Sequence, residues 1–335
     1  MTITLVHVLF TQRQSMKYIL ARRMSWKAFA STLSLSLCLF MLFRRGSAVP
    51  MPRSLHALWD LGHVGLYVLL SWMALKQWPR LRSLPLAPRG ILLIGFAFVS
   101  GGSIEYLQRF AGRESSLGDL YRDLVGAALV WAFYPYNNMS IPPPSRRTLS
   151  TARAIALLAL LHALVPLVSA LIDEARAEEA FPLLADFESS LEMGRWVSDG
   201  SILRVQRPVS HGHYALQVTF TTANWSVLDL QYLPSDWSGF HFLKFDLYNP
   251  MSHAFDIHCK ILDEEHIEHG FPYDDRYNGL LVLEPGWNPI ALPLDTIRRA
   301  PKGRFLDMRR IRRMGFFARS LPRPTTIIVD HVRLE

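Results

Sequence analysis

Five apolar runs crowd the first 172 residues of this chain: Ala28 to Phe43, Leu58 to Leu75, Gly90 to Leu107, Leu117 to Tyr134 and Ala154 to Ile172. Each is close to the ~20 residues that a helix needs to cross a bilayer. The expected fold of this part is therefore an α-helical membrane bundle of five transmembrane helices. After Ile172 the pattern changes to short alternating runs such as Ala215 to Phe220, Leu243 to Tyr248 and Ile327 to Asp330, separated by Gly, Pro, Asn and Asp turns. That alternation predicts an all-β antiparallel sandwich. The expected organisation is an N-terminal segment 1–27, a membrane domain 28–172, a short acidic, Ala-rich linker 173–180 and a β-sandwich 181–335.

Charge orients the membrane part. Arg13, Lys17, Arg22, Arg23, Lys27, Lys76, Arg80, Arg82, Arg89, Arg146, Arg147 and Arg153 fall on one side, against Arg44, Arg45, Arg53, Arg109, Arg113 and Arg122 on the other. Under the positive-inside rule this places the N-terminus in the cytoplasm, and an odd number of spans then exports the sandwich. Arg44 and Arg45 interrupt the small-residue context after the first run, so an uncleaved anchor fits better there than a signal peptide. The expected location is a bacterial-type cytoplasmic membrane with the C-terminal domain periplasmic or extracellular. The net charge of +8 belongs to the membrane half, since 23 acids and 18 bases follow Ile172. No basic patch interleaved with aromatics points to nucleic acid. Cys38 and Cys259, one in a span and one in a strand, supply no disulfide framework.

Asp60, Glu105, Glu114, Asp119 and Asp123 are all the acids of the first 172 residues, and they fall at one predicted end of the second, third and fourth spans. Carboxylates at the margin of an apolar span are costly unless they face a bundle interior, a partner or water. Asp60, His63 and Tyr67 share one helical stripe. Glu105 and Gln108 close the third span, Asp119 and Asp123 open the fourth, and Arg113 crowns the short turn between them. These residues, Asp60, His63, Tyr67, Glu105, Gln108, Arg113, Asp119 and Asp123, form the candidate polar site. An Arg beside carboxylates both compensates charge and can grip an anion in a bidentate manner. The alternative is that they anchor helix ends and pair with one another.

Over roughly Leu55 to Trp131 the set His63, Tyr67, Glu105, Gln108, Arg113, Asp119 and Gly126 resembles the VanZ-like membrane protein family. Asp60 stands where that family often has Lys and Asp123 where it usually has Asn. Both changes add negative charge and favour a cation or an extra proton. The resemblance implies a fold and a site; the family generally lacks an established reaction.

In the exported half, Asp186-Phe187-Glu188, Trp196, the Gly212 to Val218 turn and strand, Asp236 to Gly239, Gly286-Trp287-Asn288 and the closing Asp330 to Leu334 resemble a galactose-binding-like jelly roll of the carbohydrate-binding-module type. Such folds pair the first and last strands, which would bring Glu188 near Asp330. The resemblance implies a structural calcium at that edge, held by Glu188, Asp330 and Asp186; exposed strand-end charges are the alternative. Asp263, His266, Tyr273, Arg276 and Tyr277 lie in a polar loop and strand between apolar strands and are the candidate ligand-binding residues. Aromatic faces stack on sugar rings, and carboxylates with Arg satisfy paired hydroxyls. Trp225, Trp237 and Trp287 each read better as core. His253, His258, His266 and His269 match no defined zinc motif.

The expected function is recognition of an envelope carbohydrate or glycolipid, coupled to the polar membrane site, with membrane lipid as a second partner. Two other classes stay open. One is an enzyme acting on a lipid-linked envelope substrate, with Glu105 or Asp119 as acid or base, His63 as proton carrier and Arg113 as anion clamp. The other is a scaffold. No Ser-His-Asp order, P-loop or zinc-protease motif favours a particular reaction.

Overall fold

The computed structural model describes residues 36, 51–110, 116–136 and 142–335. They divide into two compact units, one built from Leu61–Leu160 and one from residues 51–60 with Leu161–Glu335. The helical elements are α1 (Arg53–Asp60), α2 (Gly62–Gln77), α3 (Pro79–Arg82), α4 (Leu86–Phe110), α5 (Leu117–Phe133) and α6 (Arg146–Ala180). Among the described residues, three stretches are apolar enough to cross a membrane by length and composition: Arg53–Gln77, Leu86–Phe110 and Arg146–Ala180. Five spans are thus not supported. The helix expected from Leu117 has 17 residues, fewer than the ~20 a crossing needs, and the run Ala28 to Phe43 lies outside the described residues.

Small residues let the helices of the first unit approach closely. A Cβ on Gly126 of α5 would stand 2.5 Å from the Val64 carbonyl oxygen and 2.8 Å from Tyr67 Cβ on α2. A Cβ on Gly101 of α4 would meet the Asp123 carboxylate. Both glycines therefore sit where polar side chains of neighbouring helices converge. Ser116 starts α5, its hydroxyl accepting the Gly118 N–H at 3.1 Å, an ordinary N-cap.

The second unit is a β-sandwich of two antiparallel sheets. Its strands are β1 (Leu183–Ala185), β2 (Trp196–Ser198), β3 (Ser201–Val205), β4 (Ala215–Phe220), β5 (Ser226–Leu230), β6 (Phe242–Asn249), β7 (Phe255–Asp263), β8 (Tyr277–Leu283), β9 (Gly286–Pro293), β10 (Ile311–Ala318) and β11 (Thr325–Leu334). One sheet runs β3-β4-β11-β6-β9, with β1 also on β11; the other runs β2-β5-β10-β7-β8. Alternation puts Leu216, Val218, Phe245, Leu247, Ile327 and Val329 inward from the first sheet and Leu228, Leu230, Ile257, Cys259, Met314 and Phe316 inward from the second, all fully buried. Each contributes about 1.5–3 kcal/mol of burial for a large side chain. Phe245 and Phe316 join the sheets edge to face, with ring centroids 5.2 Å apart.

The first and last strands pair, with Leu183 opposite Arg333. The first strand, however, is Leu183–Ala185 rather than Asp186-Phe187-Glu188: Phe187 has a φ of 62° and turns the chain out of the sheet. The expected linker 173–180 is the last part of α6. There Asp173 is buried between Arg53 Nη1 and Arg195 Nε, each 3.2 Å from its Oδ2.

Candidate functional site

In the helical unit His63 begins α2 and is almost fully buried. Its Nδ1 lies 2.9 Å from Asp123 Oδ1, and its Nε2 faces Asp119 Oδ2 at 3.8 Å. The other Asp119 oxygen takes Arg122 Nη1 at 2.6 Å, an i, i+3 partner that spacing alone could have named. Glu105, at the C-terminal end of α4, accepts the Ser116 N–H on Oε2 at 2.7 Å. Its Oε1 is buried with no hydrogen-bond partner among the described residues. One ligand atom each from His63, Glu105 and Asp119 lies within 4.8 Å of the others.

The remaining members of the expected polar site are placed differently. Tyr67 is fully buried one turn further along α2. Its hydroxyl is 2.9 Å from Ser100 Oγ, and Ser100 in turn donates to the Phe96 carbonyl at 2.6 Å. The Ser100 proton being committed, Tyr67 donates to Ser100 and serves helix packing. Gln108 is buried near the end of α4. Asp60 ends α1 in the second unit, 3.8 Å from His56 Nδ1. Arg113 lies outside the described residues.

The residues expected to hold calcium each already accept hydrogen bonds from the protein. Asp330 Oδ2 accepts the Ser210 N–H at 2.7 Å, the Ser210 hydroxyl at 3.1 Å and the His211 N–H at 3.1 Å; its Oδ1 accepts the His331 N–H at 2.8 Å. Glu188 Oε1 accepts the N–H groups of His213 and Tyr214 at 2.6 and 3.0 Å, and Asp186 Oδ1 accepts the Glu188 N–H at 3.1 Å. Donors with partial positive charge thus occupy both oxygens of Asp330 and one each of Glu188 and Asp186, where they compete with a cation for the lone pairs. The carboxylates instead fasten the loop 210–214 ahead of β4.

The expected ligand-binding residues separate into two groups. Asp263 is fully buried and structural: Arg304 donates to it through Nη1 at 2.7 Å and Nη2 at 2.9 Å, joined by the N–H groups of Asp307 at 2.8 Å and His266 at 3.1 Å. Burial alone would raise the Asp263 carboxyl; those donors outweigh it and hold it below the usual carboxylate range. His266 is buried as well, its Nδ1 3.0 Å from the Asp275 carbonyl oxygen, and burial, with Arg276 nearby, lowers its pKa. Tyr277 points into the core, where burial pushes its phenol up to about 12. These three are corrected from ligand contacts to structural residues.

Tyr273 and Arg276 belong instead to the outer face of the five-stranded sheet. Its register sets Val227, Phe317, His258 and Leu280 in one row across β5, β10, β7 and β8, and Asp229, Gly315, Lys260 and Asn278 in the next. Trp225 and Tyr273 are 44% and 45% exposed, and their rings lie 6.0 Å apart. Trp225 also packs on Phe317 at 5.4 Å, and His258 stacks on Phe317 at 4.7 Å. Arg319 covers the Trp225 ring at 4.5 Å and Arg276 the Tyr273 ring at 5.4 Å. In the neighbouring row Asp229 pairs with Lys260 Nζ at 2.8 Å and Arg313 Nη1 at 3.3 Å, and Arg276 Nε donates to Asn278 Oδ1 at 2.9 Å. Burial lowers both Lys260 and Arg276, with Asp229 opposing the shift at each. Trp225, read from sequence as core, is a surface aromatic. Phe317, Asp229 and Lys260 escaped the sequence reading because only the strand register brings them together.

No protein-family profile matches the sequence, and no curated protein does. Solved structures to which the chain is similar include the family 11 carbohydrate-binding module from Clostridium thermocellum in complex with a β-1,3-1,4-mixed-linked tetrasaccharide. It is 17% identical, with 45% of this chain and 93% of that chain covered and a TM-score of 0.36. An exo-β-agarase is 15% identical over 46% of this chain and 24% of its own, with a TM-score of 0.35. The family 30 carbohydrate-binding module of a Clostridium thermocellum cellulosomal cellulase is 16% identical over 42% of this chain and 91% of its own, with a TM-score of 0.33.

Proposed function

We propose that this chain is an integral membrane protein of the bacterial cell envelope, VanZ-like in its helical unit, whose exported β-sandwich binds a carbohydrate chain or glycolipid. The ligand would lie along the outer face of the five-stranded sheet. The observation that carries this reading is the pairing of an exposed aromatic platform, Trp225 with Tyr273, with a neighbouring row of fixed charges, Asp229, Lys260 and Arg313. Pyranose rings present apolar C–H faces to aromatics and vicinal hydroxyls to paired acceptors and donors, so such a surface suits a sugar better than a lipid tail or a nucleic acid. The charged side chains are held by one another, which lowers the entropy cost of ordering them on binding.

The test is binding of the full chain in lipid nanodiscs to envelope polysaccharides and lipid-linked glycans. Trp225→Ala and Arg276→Ala are expected to weaken binding at least ~10-fold, about 1.4 kcal/mol, without changing the unfolding midpoint. Binding that survives both substitutions, or none to any envelope glycan, would refute it. Orientation is tested separately: phosphatase fused after Glu335 is expected to be active only outside the cytoplasm.

A second reading, an enzyme acting on a lipid-linked substrate, draws on one geometric fact. His63 is oriented by Asp123 at 2.9 Å with its other nitrogen turned toward Asp119, an arrangement suited to a general base.

A further inference from the structure

The polar cluster of the helical unit has an imbalance that the described protein groups do not resolve. Asp119 is answered by Arg122 through Oδ1, and Asp123 by His63 through Nδ1. With Nδ1–H donated to Asp123, a neutral His63 turns the lone pair of Nε2 toward Asp119 Oδ2, 3.8 Å away. Two acceptors face one another there. Beside them stands Glu105, only 7% exposed, whose Oε1 is buried without a hydrogen-bond partner among the described residues. A buried, unpartnered carboxylate oxygen costs more than almost any other polar group. Something positive therefore belongs between Glu105, Asp119 and His63 Nε2.

We propose that His63 Nε2, Glu105 and Asp119 bind one divalent transition-metal ion, with Asp123 as the positioning residue that fixes the His63 tautomer. Three features support a metal. The ligand atoms already lie within 4.8 Å of one another; ligands at ~2.0–2.1 Å from a tetrahedral zinc are roughly 3.3 Å apart, so small side-chain rotations close the site. The Asp123–His63 pair has the carboxylate–histidine geometry that orients imidazole ligands on metals. One imidazole with two carboxylates suits zinc or manganese rather than a thiolate-seeking ion. Three protein ligands leave a fourth position open, as in sites where a metal holds water or a substrate oxygen. The alternative is a proton shared between His63 and Asp119, which would leave the protein without affinity for metals. This inference does not depend on sugar binding by the sandwich.

The full chain in detergent, stripped with chelator and then dialysed against zinc chloride, manganese chloride or cobalt chloride, is expected to retain about one ion per chain. The cobalt form should show the visible bands of a four- or five-coordinate nitrogen and oxygen site without thiolate charge transfer. Glu105→Gln keeps an oxygen to accept the Ser116 N–H, so it should fold normally while losing at least ten-fold in zinc affinity. His63→Ala should lose metal similarly. Asp123→Asn should weaken binding about 10–100-fold, the usual effect of removing a partner behind a ligand, and His162→Gln should leave it intact. If Glu105→Gln proves unstable, cobalt spectra and chelator competition on the unmodified chain decide the matter. Wild-type chain that takes up none of the three ions, or Glu105→Gln that holds zinc as tightly as wild type, would overturn the assignment.

Discussion

Replacing Arg304 by Ala isolates the energetic role of the Asp263 network. Asp263 is fully buried, and its side chain accepts from Arg304 Nη1 and Nη2 and from two backbone N–H groups. Arg304 also holds Asp275, through Nε to Oδ1 and through Nη2 to Oδ2 at 2.9 Å. Without the guanidinium, a buried carboxylate keeps two neutral donors but loses its countercharge. Breaking one partner out of a buried pair costs about 3–5 kcal/mol, and in a domain of 150–250 residues each kcal/mol shifts the unfolding midpoint by about 2–4 °C. The expected fall is therefore roughly 6–20 °C, read from thermal unfolding of the sandwich by near-UV circular dichroism in the purified chain. The double substitution Arg304→Met with Asp263→Leu should recover part of the loss, because removing both charges removes the desolvation penalty with the attraction. A midpoint that barely moves in Arg304→Ala, or a double variant less stable than the single one, would refute the structural reading and return Asp263 to the list of ligand contacts.

Acid should destabilise the sandwich before its carboxylates titrate. Burial foremost, with neighbouring cations, holds His258, His266 and His331 below the usual imidazole value. The folded form keeps them neutral while the unfolded chain takes up protons as pH falls through about 6.5, so stability is complete above that pH and declines below it; a midpoint equal at pH 7.5 and 5.5 would count against this. Asp330→Ala, which releases four hydrogen bonds around the loop 210–214, should cost about 2–4 kcal/mol at roughly 1 kcal/mol per bond, measured by urea unfolding. A calcium chelator that spares transition metals should leave the unfolding of the sandwich unchanged, since protein donors already occupy both oxygens of Asp330. Gly126→Val should prevent stable packing of α5 on α2, seen as loss of membrane-inserted protein on expression.

The sandwich was legible because alternation is a local signal: Ala215 to Phe220 is β4 as expected, and the closing strand contains Ile327 to Asp330. The same logic misplaced the first strand. Asp186-Phe187-Glu188 alternates well, but the positive φ of Phe187 answers to tertiary packing that no dipeptide pattern encodes. Site residues followed the same rule. His63, Glu105, Asp119 and Asp123 could be named because carboxylates in apolar helices are conspicuous, and their meeting followed from helix ends joined by a short turn. Asp263 and His266 were misjudged because the residue that buries their charge, Arg304, lies 41 positions from Asp263 in sequence. Trp225 was misread because an isolated tryptophan ahead of a strand carries no mark of which face it will occupy.

Arg53 meets Asp173, 120 positions further along the chain, and the Ser54 N–H meets Glu174 at 2.8 Å across the same interval. Both ends of that interval belong to one compact unit, which sets a parity condition. A chain that leaves a region on one side of a bilayer and returns to it must cross an even number of times. If Arg53–Gln77, Leu86–Phe110 and Arg146–Ala180, the stretches among the described residues that are apolar enough by length and composition, were its crossings, Arg53 and Asp173 would stand on opposite sides. In a membrane-embedded form a fourth traverse would fall to Leu117–Phe133, whose 17 residues reach about 25 Å at 1.5 Å per residue, against a hydrocarbon core of ~30 Å. A shortfall of that size is met by local thinning of the bilayer. In a membrane-embedded form the Arg53–Asp173 pair would thus set the parity of the passages between its partners, and the lipid beside the shortest helix should carry a dimple.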